Sequence, residues 1–139
     1  MIKSSLLQKF NQILNERPLI VGTLTGRMDL SKQLEEARLA DVDIIEVRLD
    51  TFPLEAGHPV LKTIRRLSKK PLLLTLRSSP EGGEKRFQKN LGLKPRKEFI
   101  KGLIARGDLL DVEIRAKGLA QQLTKFACAR GIPVIHYKA

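Results

Sequence analysis

Asp43-Ile44-Ile45-Glu46-Val47-Arg48-Leu49-Asp50 is the stretch that decides the fold, because its apolar and charged side chains alternate. Alternate side chains of a β-strand point to opposite faces. One face of such a strand carries the apolar residues 45, 47 and 49, and the other carries Glu46, Arg48 and Asp50. Three charges on one face are costly to bury unless that face meets a polar site. The stretch therefore predicts either a site at the carboxyl end of this strand or a solvated edge strand.

The composition is that of a globular chain whose core is aliphatic. Of the 139 residues, 42% are hydrophobic and 4% are aromatic, and tryptophan is absent. This length suits one domain, which we expect to span residues 1–139. The single cysteine, Cys128, excludes an internal disulfide and a cysteine-based zinc site. It lies in an apolar helical pattern, which predicts a buried structural thiol.

The net charge of +11, from 26 basic and 15 acidic residues, favours an anionic partner. Nucleic acid, an acidic surface or a small anionic substrate would each fit this excess. The basic residues are spread over predicted helix exteriors and loops, and aromatic residues for stacking on bases are scarce. This pattern favours a solvated basic surface over nucleic-acid binding. The sequence shows no signal peptide and no membrane-length apolar run, so a cytoplasmic location is expected.

Helices and strands alternate along the whole sequence. We predict helices over residues 4–15, from Asp29 or Ser31 to about 40, 59–69, 95–107 and 117–130, and strands over 19–24, 43–50, 72–77, 109–114 and 132–137. Such alternation is typical of parallel strands joined by right-handed crossovers. The fold class is therefore α/β, with an extra helix at the N-terminus.

Two α/β architectures compete, an open doubly wound sheet and a TIM-type (β/α) barrel. The stretch Gly22-Thr23-Leu24-Thr25-Gly26, at the end of the first strand, lacks a dinucleotide-binding glycine fingerprint. Polar residues instead lie toward the carboxyl ends of several predicted strands: Thr23, Glu46, Arg48, Arg77, Glu113 and His136. Barrel enzymes collect their chemistry at the carboxyl ends of the strands, so the barrel is favoured.

Three motifs lie on the predicted second, third and fourth strands: Glu46-Val47-Arg48-Leu49-Asp50, Thr75-Leu76-Arg77-Ser78 followed by Glu81-Gly82-Gly83-Glu84, and Leu110-Asp111-Val112-Glu113. Together they resemble the motifs of the type I 3-dehydroquinate dehydratase family, a group of carbon–oxygen lyases in the shikimate pathway of aromatic amino acid biosynthesis. The resemblance implies a (β/α)8 barrel that converts 3-dehydroquinate to 3-dehydroshikimate through a lysine imine, a Schiff base. It also implies a histidine as general acid and base, and neither a metal nor an organic cofactor.

The resemblance also implies roles for individual residues. Glu46 and Arg48 would orient substrate hydroxyls and the reacting centre, and Arg77 would bind the substrate as well. Thr23 stands where the family has a small hydroxyl residue, and Glu81 would help to hold Arg77. An anionic, polyhydroxylated substrate suits guanidinium groups, which pair with carboxylates in a fork geometry.

Two further residues are candidates on the fourth and fifth predicted strands. Glu113 is expected to support the same pocket. His136 is the candidate for the acid/base histidine, although an ungapped alignment puts the family's histidine at or beyond Ala139. A shift of register by a few residues would make His136 the match. His58 and His136 are far apart in the sequence, and no metal site is predicted.

The sequence departs from the family where the imine lysine belongs. The family carries this lysine on strand six, whereas this chain holds about five of the eight units of such a barrel. Lys138 does not match the family position. We therefore expect little or no dehydratase turnover from the isolated chain, which would be a truncated product, a fragment or one half of a split protein.

The open sheet edges of a partial barrel suggest other functions. The predicted first and fifth strands would lack partners on one side. A non-catalytic module that binds an anion or assembles with a second chain is one alternative, and self-association through these edges is one form of it. A nucleic-acid binder is a third hypothesis, suggested by the net charge alone.

Overall fold

An α/β fold is seen in a computed structural model, which describes residues 2–76, 101–103, 106–113 and 117–137. The helices are α1 Ile2–Leu14, α2 Leu30–Leu39, α3 Gly57–Leu67 and α4 Lys117–Ala129, and residues 101–103 are also helical. The strands are β1 Val21–Leu24, β2 Ile44–Arg48, β3 Leu72–Thr75, β4 Leu109–Glu113 and β5 Val134–Tyr137. Most of the helix predicted over residues 95–107 lies outside the described residues.

The five described strands form one parallel sheet in the order β1-β2-β3-β4-β5. Each strand pairs with the next one in the sequence, so the order never reverses. A doubly wound sheet would show such a reversal. Sequential parallel strands with intervening helices are the arrangement of a β/α barrel, which confirms the predicted fold class and the extra N-terminal helix.

One face of the sheet packs against the helices. Ile45 and Val47 of β2, which alternate with the charged residues of that strand, and Leu74 of β3 are at most 1% exposed. They belong to one core with residues from the helices: Leu34, Ala37, Leu61, Ile64, Leu103, Leu123 and Ala127. Burial of each large aliphatic side chain contributes about 1.5–3 kcal/mol, so this layer supplies most of the driving force.

The opposite face of the sheet is apolar at one end and polar at the other. Ile44, Leu73 and Leu109 lie near the amino ends of their strands and form a second core with Phe10 of α1. Helix α1 therefore covers the amino end of this face. Polar residues are left to occupy the carboxyl end, which is where the sequence predicts the site.

Strand β2 is shorter than predicted: it ends at Arg48, whereas the predicted strand ends at Asp50. Residues Leu49–Thr51 form a 3-10 turn. The Thr51 hydroxyl donates a hydrogen bond of 2.6 Å to the carbonyl oxygen of Arg48, which would otherwise continue the strand ladder. The predicted alternation over residues 43–50 is therefore wrong for its last two residues.

Two predicted buried side chains are exposed. Cys128 lies on the solvent side of α4, because it follows the buried Ala127 by one residue, or 100° of helix rotation. The helical spacing of Leu61, Ile64 and Leu67 predicts that all three point inward, but Leu67 is 53% exposed. Each step of three residues shifts a side chain by about 60° around the helix, so two steps carry Leu67 out of the core.

The outer strands of the described sheet pair on one side only. Val21 on β1 and Ile135 on β5 are exposed apolar residues at these edges. Self-association through the edges stays a prediction, as does the assignment of residues 1–139 to one domain. Within the described ranges, no helix combines the length and the apolar character that a membrane crossing requires.

Two aspartates tie the amino ends of neighbouring strands together. Asp43, just before β2, accepts hydrogen bonds of 2.8 Å from the Ile20 amide and from both terminal nitrogens of Arg17. Asp108, just before β4, accepts in the same way from the Leu72 amide and from the guanidinium of Arg65. The Arg17 guanidinium and the Ile20 amide hold the pKa of Asp43 well below its usual range.

Asp43→Asn is expected to lower the free energy of unfolding by about 1–3 kcal/mol at pH 7, since it weakens charge-assisted hydrogen bonds. The folded-state pKa of Asp43 is depressed, so its contribution is present above the unfolded pKa of about 3.9 and is lost as the pH falls below it. The difference from the wild type should therefore shrink between about pH 5 and pH 2. Urea unfolding at several pH values measures this.

Asp41→Asn is the matched control for this experiment. Asp41 also carries an ion pair, with Lys70, but its side chain is 89% exposed, and asparagine tolerates its positive φ of 50°. We expect a change within about 0.5 kcal/mol. Equal effects of the two substitutions at pH 7 would contradict the role given to Asp43.

Candidate active site

Glu46 is held by hydroxyl groups from both neighbouring strands. Thr23 on β1 donates a hydrogen bond of 2.9 Å to Oε1, and Thr75 on β3 donates one of 2.8 Å to Oε2. Thr23 is the register partner of Glu46 on β1. On β3 the register partner of Glu46 is Leu73, so Thr75, two residues further along, reaches Glu46 diagonally. Thr75 is fully buried, while Glu46 is half-buried and Thr23 is exposed. The carboxylate is therefore fixed at both oxygens near the solvent-facing end of the sheet.

Arg48 forms a two-pronged ion pair with Asp50. Its Nε and one terminal nitrogen donate hydrogen bonds of 2.9 and 2.8 Å to the two carboxylate oxygens. The side chain of Asp50 is 0% exposed and that of Arg48 is 22% exposed. The bonded carboxylate raises the pKa of Arg48, and the charges of Glu46 and Asp111 add to this effect against the opposing effect of burial. The guanidinium thus stays charged and fixed.

The loops that carry these residues are tied to each other. The Gly26 amide donates a hydrogen bond of 2.8 Å to the Thr51 hydroxyl, which itself donates to the Arg48 carbonyl. The loop after β1 is therefore connected directly to the turn after β2. The close approach requires glycine, because a Cβ at residue 26 would collide with the carbonyl oxygen of Thr51.

Gln33 of α2 fixes the loop after β1 from the helix side. Its side-chain carbonyl accepts from the Thr25 amide at 3.0 Å, and its amide nitrogen donates to the carbonyls of Thr25 and Met28 at 2.8 and 3.1 Å. Gln33 is only 5% exposed, so these bonds are sheltered from water. Asp29 caps the same helix by accepting from the Lys32 amide at 2.8 Å, which resolves the predicted choice between Asp29 and Ser31.

Asp111 is a buried acid that lies in the same row as Arg48. Register aligns Arg48 with Thr75, and Thr75 with Asp111, across β2, β3 and β4. Asp111 is 7% exposed. The alternation of acids on the fourth predicted strand contained this signal, although the sequence analysis singled out only Glu113.

Thr23, Glu46 and Arg48 are the predicted site residues whose side chains the structure brings to one end of the sheet. Glu113 ends β4 and pairs in register with Tyr137. Its side chain, like that of His136, is outside what the structure describes. Arg77 and Glu81 lie wholly outside the described residues, so their predicted roles stay predictions.

His136 is not in register with the polar row. Its backbone pairs with that of Val112, whereas Asp111 pairs with Ile135. The role of His136 as acid and base stays a prediction.

No three His, Cys, Asp or Glu side chains among the described residues are placed to hold a metal ion. The polar groups that converge at this end of the sheet are one carboxylate anchored by hydroxyls and one guanidinium paired with a carboxylate. Such groups hydrogen-bond hydroxyl and carboxylate oxygens of a small ligand.

Comparison with known proteins gives the same family from sequence and from structure. The chain matches the family model for type I 3-dehydroquinase over residues 19–137. It is 33% identical over 128 residues to the 3-dehydroquinate dehydratase of Clostridioides difficile, covering 86% of this chain and 49% of the relative. It is 33% identical over 104 residues to that of Clostridium novyi, covering 70% and 40% of the two chains.

A solved structure has the same fold over the same portion. The crystal structure of the 3-dehydroquinate dehydratase from Aquifex aeolicus superposes with a TM-score of 0.69 at 26% identity, covering 86% of this chain and 52% of that chain. The chain thus spans about half the length of the curated relatives it matches. Its fold corresponds to an incomplete TIM barrel. The chain belongs to the type I 3-dehydroquinase family.

Proposed function

We propose that the carboxyl ends of β1, β2 and β3 bind 3-dehydroquinate and orient it for dehydration to 3-dehydroshikimate. The observation that carries this proposal is the placement of Glu46, with each carboxylate oxygen bonded to a threonine hydroxyl, beside the Arg48–Asp50 pair. Family membership supplies the substrate, since the relatives are 3-dehydroquinate dehydratases. A soluble biosynthetic role of this kind suits the predicted cytoplasmic location.

Glu46 has the capacity to accept hydrogen bonds from ligand hydroxyls. An ionised carboxylate offers about four lone-pair sites, and the bonds from Thr23 and Thr75 occupy two of them. Because both oxygens are already fixed, little side-chain entropy remains to be lost when a hydroxyl binds. This geometry suits a polyhydroxylated ring rather than a simple anion.

The positive charge for the substrate carboxylate is assigned to Arg77 in this proposal. Arg77 directly follows Leu76 at the end of the β3 segment, and it belongs to the motif shared with the family. Arg48 is less suited to this task, since Asp50 already neutralises its charge. Glu81 would support Arg77, and Glu113 would face the same ligand from β4.

The imine chemistry needs a lysine nucleophile, which the family resemblance puts on a sixth strand. We therefore propose that this polypeptide of 139 residues orients the substrate and by itself gives little or no turnover. A borohydride-trapped adduct of 3-dehydroquinate on Lys138, or on another lysine, would contradict that part of the proposal.

Glu46→Gln is expected to weaken binding of 3-dehydroquinate about tenfold or more, because the amide offers one acceptor in place of two charged oxygens. Isothermal titration calorimetry on the folded chain measures the affinity. Glu36→Gln is the control, since Glu36 is an exposed glutamate on α2 and should leave the affinity unchanged. Saturable binding that both variants retain equally would contradict the assignment of the site.

A further inference from the structure

Asp50 and Glu35 each make the same two-pronged pair with an arginine, but in different surroundings. The Arg38–Glu35 pair lies on α2 with both side chains more than half exposed, at 68% and 55%. In the Arg48–Asp50 pair the carboxylate is 0% exposed and the guanidinium 22% exposed. A buried pair in contact acts on its surroundings as a single neutral dipole, whereas water screens an exposed pair.

The described part of the site has more carboxylates than guanidinium groups. Arg48 is bonded to Asp50, lies two residues after Glu46 on β2 and shares a register row with Asp111. Among the described residues, a simple anion that approaches Arg48 therefore meets an excess of negative charge. A ligand hydroxyl carries no net charge, so the surrounding carboxylates do not repel it.

Asp50 and Thr51 fix the side chain and the backbone of Arg48, respectively. Asp50 holds the guanidinium, and the Thr51 hydroxyl holds the Arg48 carbonyl at 2.6 Å. Thr51 is 1% exposed. An arginine held in this way cannot swing out as a flexible cation toward solvent.

We propose that Asp50 is a positioning residue that turns Arg48 from a free cation into a fixed, neutralised hydrogen-bond donor, which makes this part of the site select ligand hydroxyls over simple anions. The inference deepens the proposed function and rests on it for the identity of the hydroxylated ligand. It assigns selectivity to a residue that does not itself need to contact the substrate.

Asp50→Asn tests the proposal with two ligands, 3-dehydroquinate and inorganic sulfate. The variant keeps the shape of the side chain and removes its charge, so Arg48 loses its bonded carboxylate and the negative charge around it decreases by one. Binding of 3-dehydroquinate should weaken about tenfold, because Arg48 is no longer fixed, and binding of sulfate should strengthen several-fold. Equal changes in the same direction for both ligands would overturn the proposal, since a merely structural role would weaken both.

Glu35→Gln is the matched control, because it removes the same kind of fork from the surface of α2. It should change neither affinity. The ratio of the two affinities is the quantity that discriminates selectivity from general damage to the site.

NMR of arginine Nε–H groups tests the same proposal without a variant that must fold. In the wild-type chain, the Nε–H of Arg48 should exchange with water at least about tenfold more slowly than that of Arg38, because its acceptor is buried. Similar exchange rates would overturn the fixed state of Arg48. Slow exchange together with failure of 3-dehydroquinate to bind the wild type would reject the proposed function while leaving the Asp50–Arg48 unit intact.

Discussion

Gly26→Ala is expected to lower the free energy of unfolding by about 3 kcal/mol. The new Cβ would collide with the carbonyl oxygen of Thr51 and would lie 3.1 Å from a ring carbon of Phe52. The obstacle is backbone, which cannot rotate away as a side chain can. Either the loop after β1 or the turn after β2 must move, and the Gly26–Thr51 hydrogen bond would be lost with it.

Gly102→Ala is the control, because it makes the same chemical change in a helical segment with room for it. The atom nearest to its new Cβ is His58 Nε2 at 3.9 Å. Alanine is favoured over glycine in a helix by about 0.5–1 kcal/mol, so this variant should be slightly more stable than the wild type. Urea unfolding followed by circular dichroism measures both. A Gly26→Ala protein as stable as the wild type would show that the two loops are not in contact as described.

Asp50→Ala is expected to cost about 3–5 kcal/mol of stability, because it leaves the Arg48 guanidinium without its bonded carboxylate in a largely buried position. The desolvation of Arg48 remains after the substitution, while the two hydrogen bonds that offset it are lost. Glu46 and Asp111 still attract the guanidinium, which favours the lower end of this range. Chemical denaturation at pH 7 measures the change.

Glu35→Ala supplies the comparison, since it removes a fork of the same geometry from the surface. We expect an effect within about 1 kcal/mol, as for other exposed ion pairs. The contrast between the two variants isolates burial as the cause. Losses of similar size at both positions would mean that the Arg48–Asp50 pair is more hydrated than the structure indicates.

Most of the fold could be predicted because short segments rich in aliphatic residues alternate with amphipathic helical segments along the whole sequence. The observed strands β3 and β4 begin at Leu72 and Leu109, which are also their predicted first residues. The helix α3 begins at Gly57, two residues before Pro59, because the first turn of a helix does not need the amide proton that proline lacks. The end of β2 could not be predicted from the sequence, because the alternation of apolar and charged residues continues through Leu49 and Asp50, which belong to the following 3-10 turn.

The candidate site could be predicted only in part, because its hydrogen bonds join residues that are distant in the sequence. Glu46 was identified from its own strand, but its partner Thr75 lies 29 residues away and on a diagonal. The role of Gln33 was missed, because a glutamine on an amphipathic helix looks like an ordinary solvated residue. Local patterns identify which polar residues lie toward the carboxyl end of a strand, whereas their hydrogen-bond partners depend on the register between strands.

We propose that this chain supplies the substrate-orienting half of a type I 3-dehydroquinase barrel. The most direct test is a chimaera that joins it to the segment of the Aquifex aeolicus enzyme that the structural match does not cover, assayed for 3-dehydroquinate turnover. We predict turnover by the folded chimaera and at least a tenfold loss on Glu46→Gln in this half. A chimaera that unfolds cooperatively but gives no turnover, or one that is indifferent to Glu46→Gln, would contradict the claim.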